Sequence, residues 1–142
     1  VFLGTFNLKL DDKGRFFLPA KFRTAMAAGL VITRQHDRCL AIWPTDVFIT
    51  EMAQAAKGPS KNEATRAYQR MIASGASDEL ADGQGRVSIP LPLRTYAGLA
   101  KDVVVIGAFN RLEVWDITEW ERYLGTQEEA FAALDESGAD MD

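Results

Sequence analysis

An aspartate followed four residues later by an arginine occurs twice in the same setting, in Asp11-Asp12-Lys13-Gly14-Arg15 and in Asp82-Gly83-Gln84-Gly85-Arg86. Each arginine is preceded by a glycine, which supplies the positive φ that a tight turn requires. The arginine then begins a strand near the surface, with the carboxylate across the turn in reach of its guanidinium. That planar fork of donors suits phosphate oxygens and the O6/N7 edge of guanine alike. On one reading, Arg15 and Arg86 meet nucleic acid, assisted by Lys9, Lys13, Lys21, Arg23 and Arg94. On the other, Asp11 and Gly14, like Asp82 and Gly85, simply organise a turn around an ion pair. An exposed pair of that kind contributes about 0–1 kcal/mol. Spacing alone leaves the ion-pair reading slightly ahead, and Arg23 and Arg94, placed on helices, suit packing as well as DNA.

Other reactive residue types are sparse. Cys39 stands between Arg38 and Leu40 at the start of an apolar strand, the setting of an inert buried thiol. His36 lies in a polar turn. One cysteine and one histidine are too few soft ligands for a structural zinc site, and an internal disulfide cannot form. No Gly-x-Ser-x-Gly elbow and no phosphate-binding glycine loop is present. Neither catalysis, nor a metal, nor a cofactor is expected. With 47% hydrophobic and 25% charged residues, the chain has the composition of a folded domain. It lacks any run near the roughly 20 apolar residues of a membrane helix. The start, Val1-Phe2-Leu3-Gly4-Thr5, has no secretory pattern, so a cytoplasmic, reducing location is expected.

The net charge of −4 argues against nucleic acid until it is divided by position. Residues 1–75 hold eleven Lys and Arg against six Asp and Glu, a net of +5. Residues 76–142 hold five against fourteen, a net of −9. Two opposite fields are hidden in one average. The acidic residues beyond Arg122 read as a solvated helix with a frayed end.

The elements that position the two turns form a duplicated module. Set over each other, Asp11–Thr24 and Asp82–Thr95 are identical at six of fourteen positions. About one match is expected at residue frequencies of roughly 5–9%. Phe16 exchanges with Val87, Leu18 with Ile89 and Phe22 with Leu93. In the first copy a strand is expected over Phe2–Leu10, a short one over Arg15–Leu18, a helix over Ala20–Ala28, and strands over Leu30–Thr33 and Cys39–Trp43. The second repeats this with Arg86–Ile89, a helix over Pro92–Leu99, Val103–Ile106 and Leu112–Trp115. Between them lie a helix over 46–56 and another behind the capping box Ser60-Lys61-Asn62-Glu63, with Ala64, Ala67, Tyr68, Met71 and Ile72 on one face. Thr118 is expected to cap a further helix and Thr126 to begin a last one, with Phe131 and Leu134 docked on the same chain. Neither module is large enough to bury a generous core alone, so the two should pack together or against other copies.

The paired Asp-x-x-x-Arg, apolar strand and Pro resemble the MraZ family of bacterial transcription regulators. The likeness covers nearly the whole chain. It includes Phe2-Leu3-Gly4, Asp11–Arg23, Asp37-Arg38-Cys39-Leu40, Ser74-Gly75-Ala76, Asp82–Arg94 and the Val103–Trp115 block. It implies an α+β fold, mainly β with packed helices. Two swapped-hairpin β-barrel modules of the AbrB/SpoVT type would form a pseudo-dimer within the chain. The modules are expected at 1–50 and 76–121, with connecting helices over 51–75 and an acidic C-terminal helix over 122–142. The resemblance also implies closed rings, octamers, and a nucleoid-associated repressor. It would bind direct repeats in double-stranded DNA upstream of its own operon, in the division and cell-wall gene cluster. Two departures stand out: Gly83 and Gln84 replace Asp12 and Lys13 in the second turn, and the first residue is Val. The first predicts that the modules contact DNA unequally. The competing class is an oligomeric protein-interaction or antitoxin-like module, in which DNA binding is secondary.

Overall fold

The computed structural model describes residues 1–57 and 62–134. Its first copy contains strands β1 (Thr5–Lys9), β2 (Arg15–Phe17), β3 (Leu30–Gln35) and β4 (Cys39–Pro44), then helices α1 (Thr45–Ala55) and α2 (Glu63–Gly75). The second contains β5 (Ser77–Glu79), β6 (Arg86–Ser88), α3 (Leu91–Tyr96), β7 (Asp102–Gly107), β8 (Leu112–Asp116) and α4 (Ile117–Ala132). Among the described residues the fold is mixed α and β, built around sheet, with four α-helices.

Six strands form one antiparallel sheet in the order β1-β7-β8-β4-β3-β5, and β2 pairs with β6 separately. The first strand of each copy pairs with the other copy: β1 lies on β7, and β5 on β3. Exchanging the two copies and reversing the direction of reading returns the same strand order, so the sheet has an internal pseudo-two-fold. Its centre is the β4–β8 pair, where Ala41 faces Glu113. The burial pattern of each strand follows its place. β4 is an unbroken apolar run, buried throughout, as a fully covered strand should be. β1, at the edge, alternates, with Phe6 and Leu8 half-buried and Thr5, Asn7 and Lys9 exposed.

A single apolar cluster joins the copies. The exchanged positions Phe16 and Val87, Leu18 and Ile89, Phe22 and Leu93 are all buried in it, beside Leu40, Ile42, Leu112 and Val114 from the central strands. Fully burying a side chain of this size contributes about 1.5–3 kcal/mol. Separating the copies would expose much of this surface, so they stabilise one another.

Several elements differ from expectation. Residues 20–28 form no α-helix: a 3-10 turn over Ala20–Phe22 is followed by turns with Met26 N donating to Phe22 O at 3.3 Å and Ala27 N to Thr24 O at 3.3 Å. This mixed bonding buries both Phe22 and Met26, so packing prevails over helical propensity. Its counterpart in the second copy is a true helix, shorter than expected, with Pro92 in its first turn. Strand β1 begins at Thr5, because Phe2 forms its own bridge to Phe109. The α2 cap is Asn62, whose Oδ1 accepts from Ala64 N at 2.8 Å and Thr65 N at 3.4 Å. Ser60 and Lys61 of the expected capping box, Gly58 and Pro59 at the expected end of the preceding helix, and the acidic residues from Asp135 onward lie outside the described residues.

At the C-terminal side Asp116, not Thr118, is the cap, its Oδ2 accepting from Glu119 N at 3.3 Å. α4 then runs unbroken through Gly125 and Thr126, so the two expected helices are one and the helix expected over 122–142 starts earlier. A mid-helix glycine costs about 1 kcal/mol, which weakens a helix without ending it. Phe131 is not docked on the chain; it is 77% exposed. The short strand β5 was hidden by its polar sequence, Ser77-Asp78-Glu79.

Candidate nucleic-acid interface

The two Asp-x-x-x-Arg turns have the same hydrogen bonds. In the first, Asp11 Oδ1 accepts from Lys13 N and Arg15 N, both at 2.9 Å, and Oδ2 accepts from Arg15 Nε at 2.8 Å. In the second, Asp82 Oδ1 accepts from Gln84 N and Arg86 N, both at 2.9 Å, and Oδ2 from Arg86 Nε at 2.7 Å. Gly14 N donates to Asp11 O at 3.0 Å, and Gly85 N to Asp82 O at 2.9 Å. The N–H groups of Arg15 and Arg86, first among several donors, hold the two carboxyls below their ordinary range. Each aspartate fixes its arginine by the Nε edge. Neither arginine's Nη atoms have a hydrogen-bond partner among the described residues, which leaves the end of the fork for an acceptor outside the chain. Both arginine side chains are 25% exposed, held more than solvated.

Pairing of β2 with β6 joins the turns into one ribbon. Arg15 faces Ser88, Phe16 faces Val87 and Phe17 faces Arg86. Beyond these pairs Leu18 N donates to Gly85 O and Ile89 N to Gly14 O, each at 2.9 Å. Strand alternation sends Phe16 and Val87 into the core and Arg15, Phe17, Arg86 and Ser88 to the outer face. The two arginines therefore share one surface although 71 residues separate them in the chain.

Arg23 and Arg94 each hydrogen-bond a carbonyl of their own copy and lie over the turn glycine of the opposite copy. Arg94 donates its Nε to Ile89 O at 2.9 Å and lies over Gly14, where an added Cβ would stand 2.5 Å from that Nε. Reciprocally, Arg23 Nε donates to Leu18 O at 3.0 Å and its guanidinium lies over Gly85, 2.7 Å from such a Cβ. Both glycines have positive φ, 77° and 82°, so their type is required twice over, by the backbone and by the arginine above. The sequence could not locate these cross-copy contacts, because they depend on how the copies dock.

The remaining basic residues divide. Lys13 is exposed at the tip of the first turn with no ion pair among the described residues. Lys9 is bonded to Asp102 at 2.6 Å, and Lys21 Nζ lies 5.0 and 5.2 Å from the ring centres of Phe6 and Phe22. The structure thus brings together Asp11, Lys13, Gly14, Arg15, Asp82, Gly85 and Arg86, braced by Arg23 and Arg94. Lys9 and Lys21 are engaged elsewhere. Exposed Phe17 is an outer-face residue that turn chemistry alone did not single out. The period-two alternation of Arg15-Phe16-Phe17-Leu18 was its only signal.

Cys39 is buried, its Sγ donating to His36 O at 3.4 Å, and burial raises its thiol well above the ordinary range. His36 stacks on Tyr68 with ring centres 6.0 Å apart. No group of three or more His, Cys, Asp or Glu among the described residues could hold a metal ion. No described helix is long and apolar enough to cross a membrane.

Known proteins resemble the chain along its length. A family model, described as MraZ protein and antitoxin-like, matches residues 1–71 and again residues 72–142. A transcriptional regulator MraZ of Cutibacterium acnes is 59% identical over 134 residues, 94% of each chain. Proteins of the same description from Kineococcus radiotolerans and Saccharopolyspora erythraea are 53% and 51% identical, each over 93% of this chain and 92% of the relative.

Proposed function

The chain belongs to the MraZ family, and on that premise we propose that it is a transcriptional regulator, not an enzyme, that binds double-stranded DNA through the β2–β6 ribbon. One observation carries this reading. Two arginines, each fixed by its own aspartate and with its Nη atoms unpartnered among the described residues, project from one face of a two-stranded ribbon. β-ribbons enter the major groove, and an arginine fork fits guanine there or a phosphate at its rim. Arg15 and Arg86 are the contacting residues on this proposal, with Lys13 adding a phosphate contact. Asp11, Gly14, Asp82 and Gly85 organise the turns. Arg23 and Arg94 act chiefly by holding them; Lys21 adds positive charge nearby, and Lys9 contributes only where DNA displaces its partner Asp102.

The finer parts of the proposal follow the family. The chain is a repressor of its own operon, within the division and cell-wall gene cluster, acting on direct repeats and residing at the nucleoid in the cytoplasm. Modules at 1–50 and 76–121 form a swapped-hairpin pseudo-dimer of AbrB type, supported by the exchange of β1 and β5 between copies. Residues 51–75 connect them and 122–142 extend beyond the second. Rings of eight copies present many ribbons at once, and linked weak contacts multiply through effective concentration.

The test is a binding titration with the DNA upstream of the chain's own gene, across a salt series, with wild-type protein and Arg15→Ala. Wild-type affinity should fall steeply with salt as phosphate neutralisation releases counterions. Arg15→Ala should lower it roughly 5- to 150-fold while the fold persists. Equal affinity for both proteins would overturn the assignment. Light scattering should report a mass far above 15.7 kDa.

A further inference from the structure

We propose that Phe17 recognises the 5-methyl group of a thymine next to the base pair contacted by Arg86, giving the ribbon a sequence preference that its arginines cannot supply. The proposal rests on the ribbon being the DNA-contacting face and adds to that reading a residue and a base.

Three observations carry it. First, the ribbon's other large apolar residues, Phe16, Leu18, Val87 and Ile89, are buried to 1% exposure or less, whereas Phe17 is 54% exposed. It takes part in no ring contact among the described residues, so it stands as an isolated apolar group on a face otherwise made of Arg15, Arg86 and Ser88. Second, the register sets Phe17 directly opposite Arg86. The main-chain bonds at Leu18–Gly85 and Gly14–Ile89 fix the ladder's phase, making Phe17–Arg86 a non-hydrogen-bonded pair, the kind with the closer side chains. Such pairs hold their Cβ atoms about 4.5–5.5 Å apart, a distance that spans one base step of about 3.4 Å but not two. Third, the pseudo-symmetric position is Ser88, and the second turn has the same hydrogen bonds as the first. A phenylalanine is therefore not needed to build this ribbon.

The chemistry selects the target. Phosphate and sugar offer a phenyl ring nothing specific, and base edges in the major groove present hydrogen-bonding groups and small C–H edges, with one larger apolar exception. That exception is the thymine C5-methyl, which apolar side chains recognise by contact. Arg86 on a guanine and Phe17 on the adjoining thymine would read two neighbouring base pairs from residues of different copies.

The experiment replaces each thymine of the bound duplex singly by deoxyuridine, which removes only that methyl group, and titrates wild-type and Phe17→Ser protein by fluorescence anisotropy. Serine is tolerated at the equivalent position 88, so Phe17→Ser should fold. Wild-type protein should lose about fourfold at one thymine position per engaged ribbon, the effect of one methyl group returned to water. Phe17→Ser should be weaker on the unmodified duplex by a similar factor and indifferent to deoxyuridine at that position. Wild-type indifference at every thymine, or an undiminished deoxyuridine penalty in Phe17→Ser, would overturn the proposal. A fall in the mass of Phe17→Ser by light scattering would also overturn it, by assigning Phe17 to contacts between copies. Arg15→Ala in the same titration separates the layers. If it binds weakly while deoxyuridine has no effect, only the role of Phe17 fails. If it binds like wild type, or wild type shows no sequence-dependent binding, the DNA reading fails as well.

Discussion

The turn at Asp11–Arg15 and the turn at Asp82–Arg86 agree in every hydrogen-bond distance to within 0.1 Å, yet three of their outward positions differ. Asp12 and Lys13 in the first answer to Gly83 and Gln84 in the second, and Phe17 answers to Ser88. Net charge does not separate the turns. In the first, two acidic residues meet two basic ones, and in the second one meets one, so both sum to zero. The difference is one of placement: the first turn carries an added cation at its tip and an added ring on its strand. Two demands on one motif are thereby separated. Carboxylate, glycine and arginine build the turn. The three outward positions can differ because, among the described residues, the side chains there make no hydrogen bond, ion pair or ring contact.

The largest disturbance should come from the scaffold itself. Gly14→Ala and Gly85→Ala each place a side chain at positive φ, costing about 1–2 kcal/mol. Each also displaces an arginine of the other copy, Arg94 in one case and Arg23 in the other. Thermal unfolding should fall by roughly 3–8 °C for each variant, and by nearly the same amount. A loss at one glycine only would break the idea that the turns are equal scaffolds.

Next in size is the contrast between the arginines. Arg15→Ala should weaken DNA binding more than Arg86→Ala, because Lys13 shares its turn while Gln84 carries no charge. A good arginine contact is worth about 1–3 kcal/mol, so even the smaller loss is measurable by anisotropy. Equal losses would mean that the decoration is irrelevant and the symmetry functional. Smaller still is the exchange of the tip residues. Lys13→Gln should lower the slope of log affinity against log salt by roughly 0.9 for each phosphate that is no longer neutralised, and Gln84→Lys should raise it. Unchanged slopes would remove Lys13 from the interface.

Much of this was legible in residue types. The alignment of the copies named the turns, and its like-for-like exchanges, Phe16 with Val87, Leu18 with Ile89 and Phe22 with Leu93, are core positions. What stayed hidden is information that exists only between copies. β1 is an amphipathic strand whose pattern does not say that its partner is β7. Ser77-Asp78-Glu79 has no strand pattern at all, yet pairs with Leu30–Ile32 because the pseudo-symmetric edge is open to it. Arg23 and Arg94 look like helix-surface cations until docking sets each over a glycine of the opposite turn. Local rules locate the motif; the pairing of copies decides what surrounds it.

The smallest effect tests the two turns at their most symmetrical point. The Asp11 and Asp82 carboxyls are both held below the ordinary 3.8 by donors within their turns, led by the N–H groups of Arg15 and Arg86. A carboxyl depressed on folding adds stability in full above its unfolded value, and that stability is lost as pH falls through the lower folded value. Wild-type unfolding temperature should therefore be insensitive to these groups near neutrality and decline below about pH 3.8. Asp11→Asn and Asp82→Asn should each remove part of that decline, and by the same amount. Asp102, depressed chiefly by Lys9, titrates in the same window, so Asp102→Asn is the control that removes its share without touching either turn. Both turn aspartates face solvent, so water screens these pairs and the effect stays small. Unequal slopes would show that Asp12 and Lys13 at the tip act on the first turn's carboxylate, and that the two turns match in geometry but not in strength.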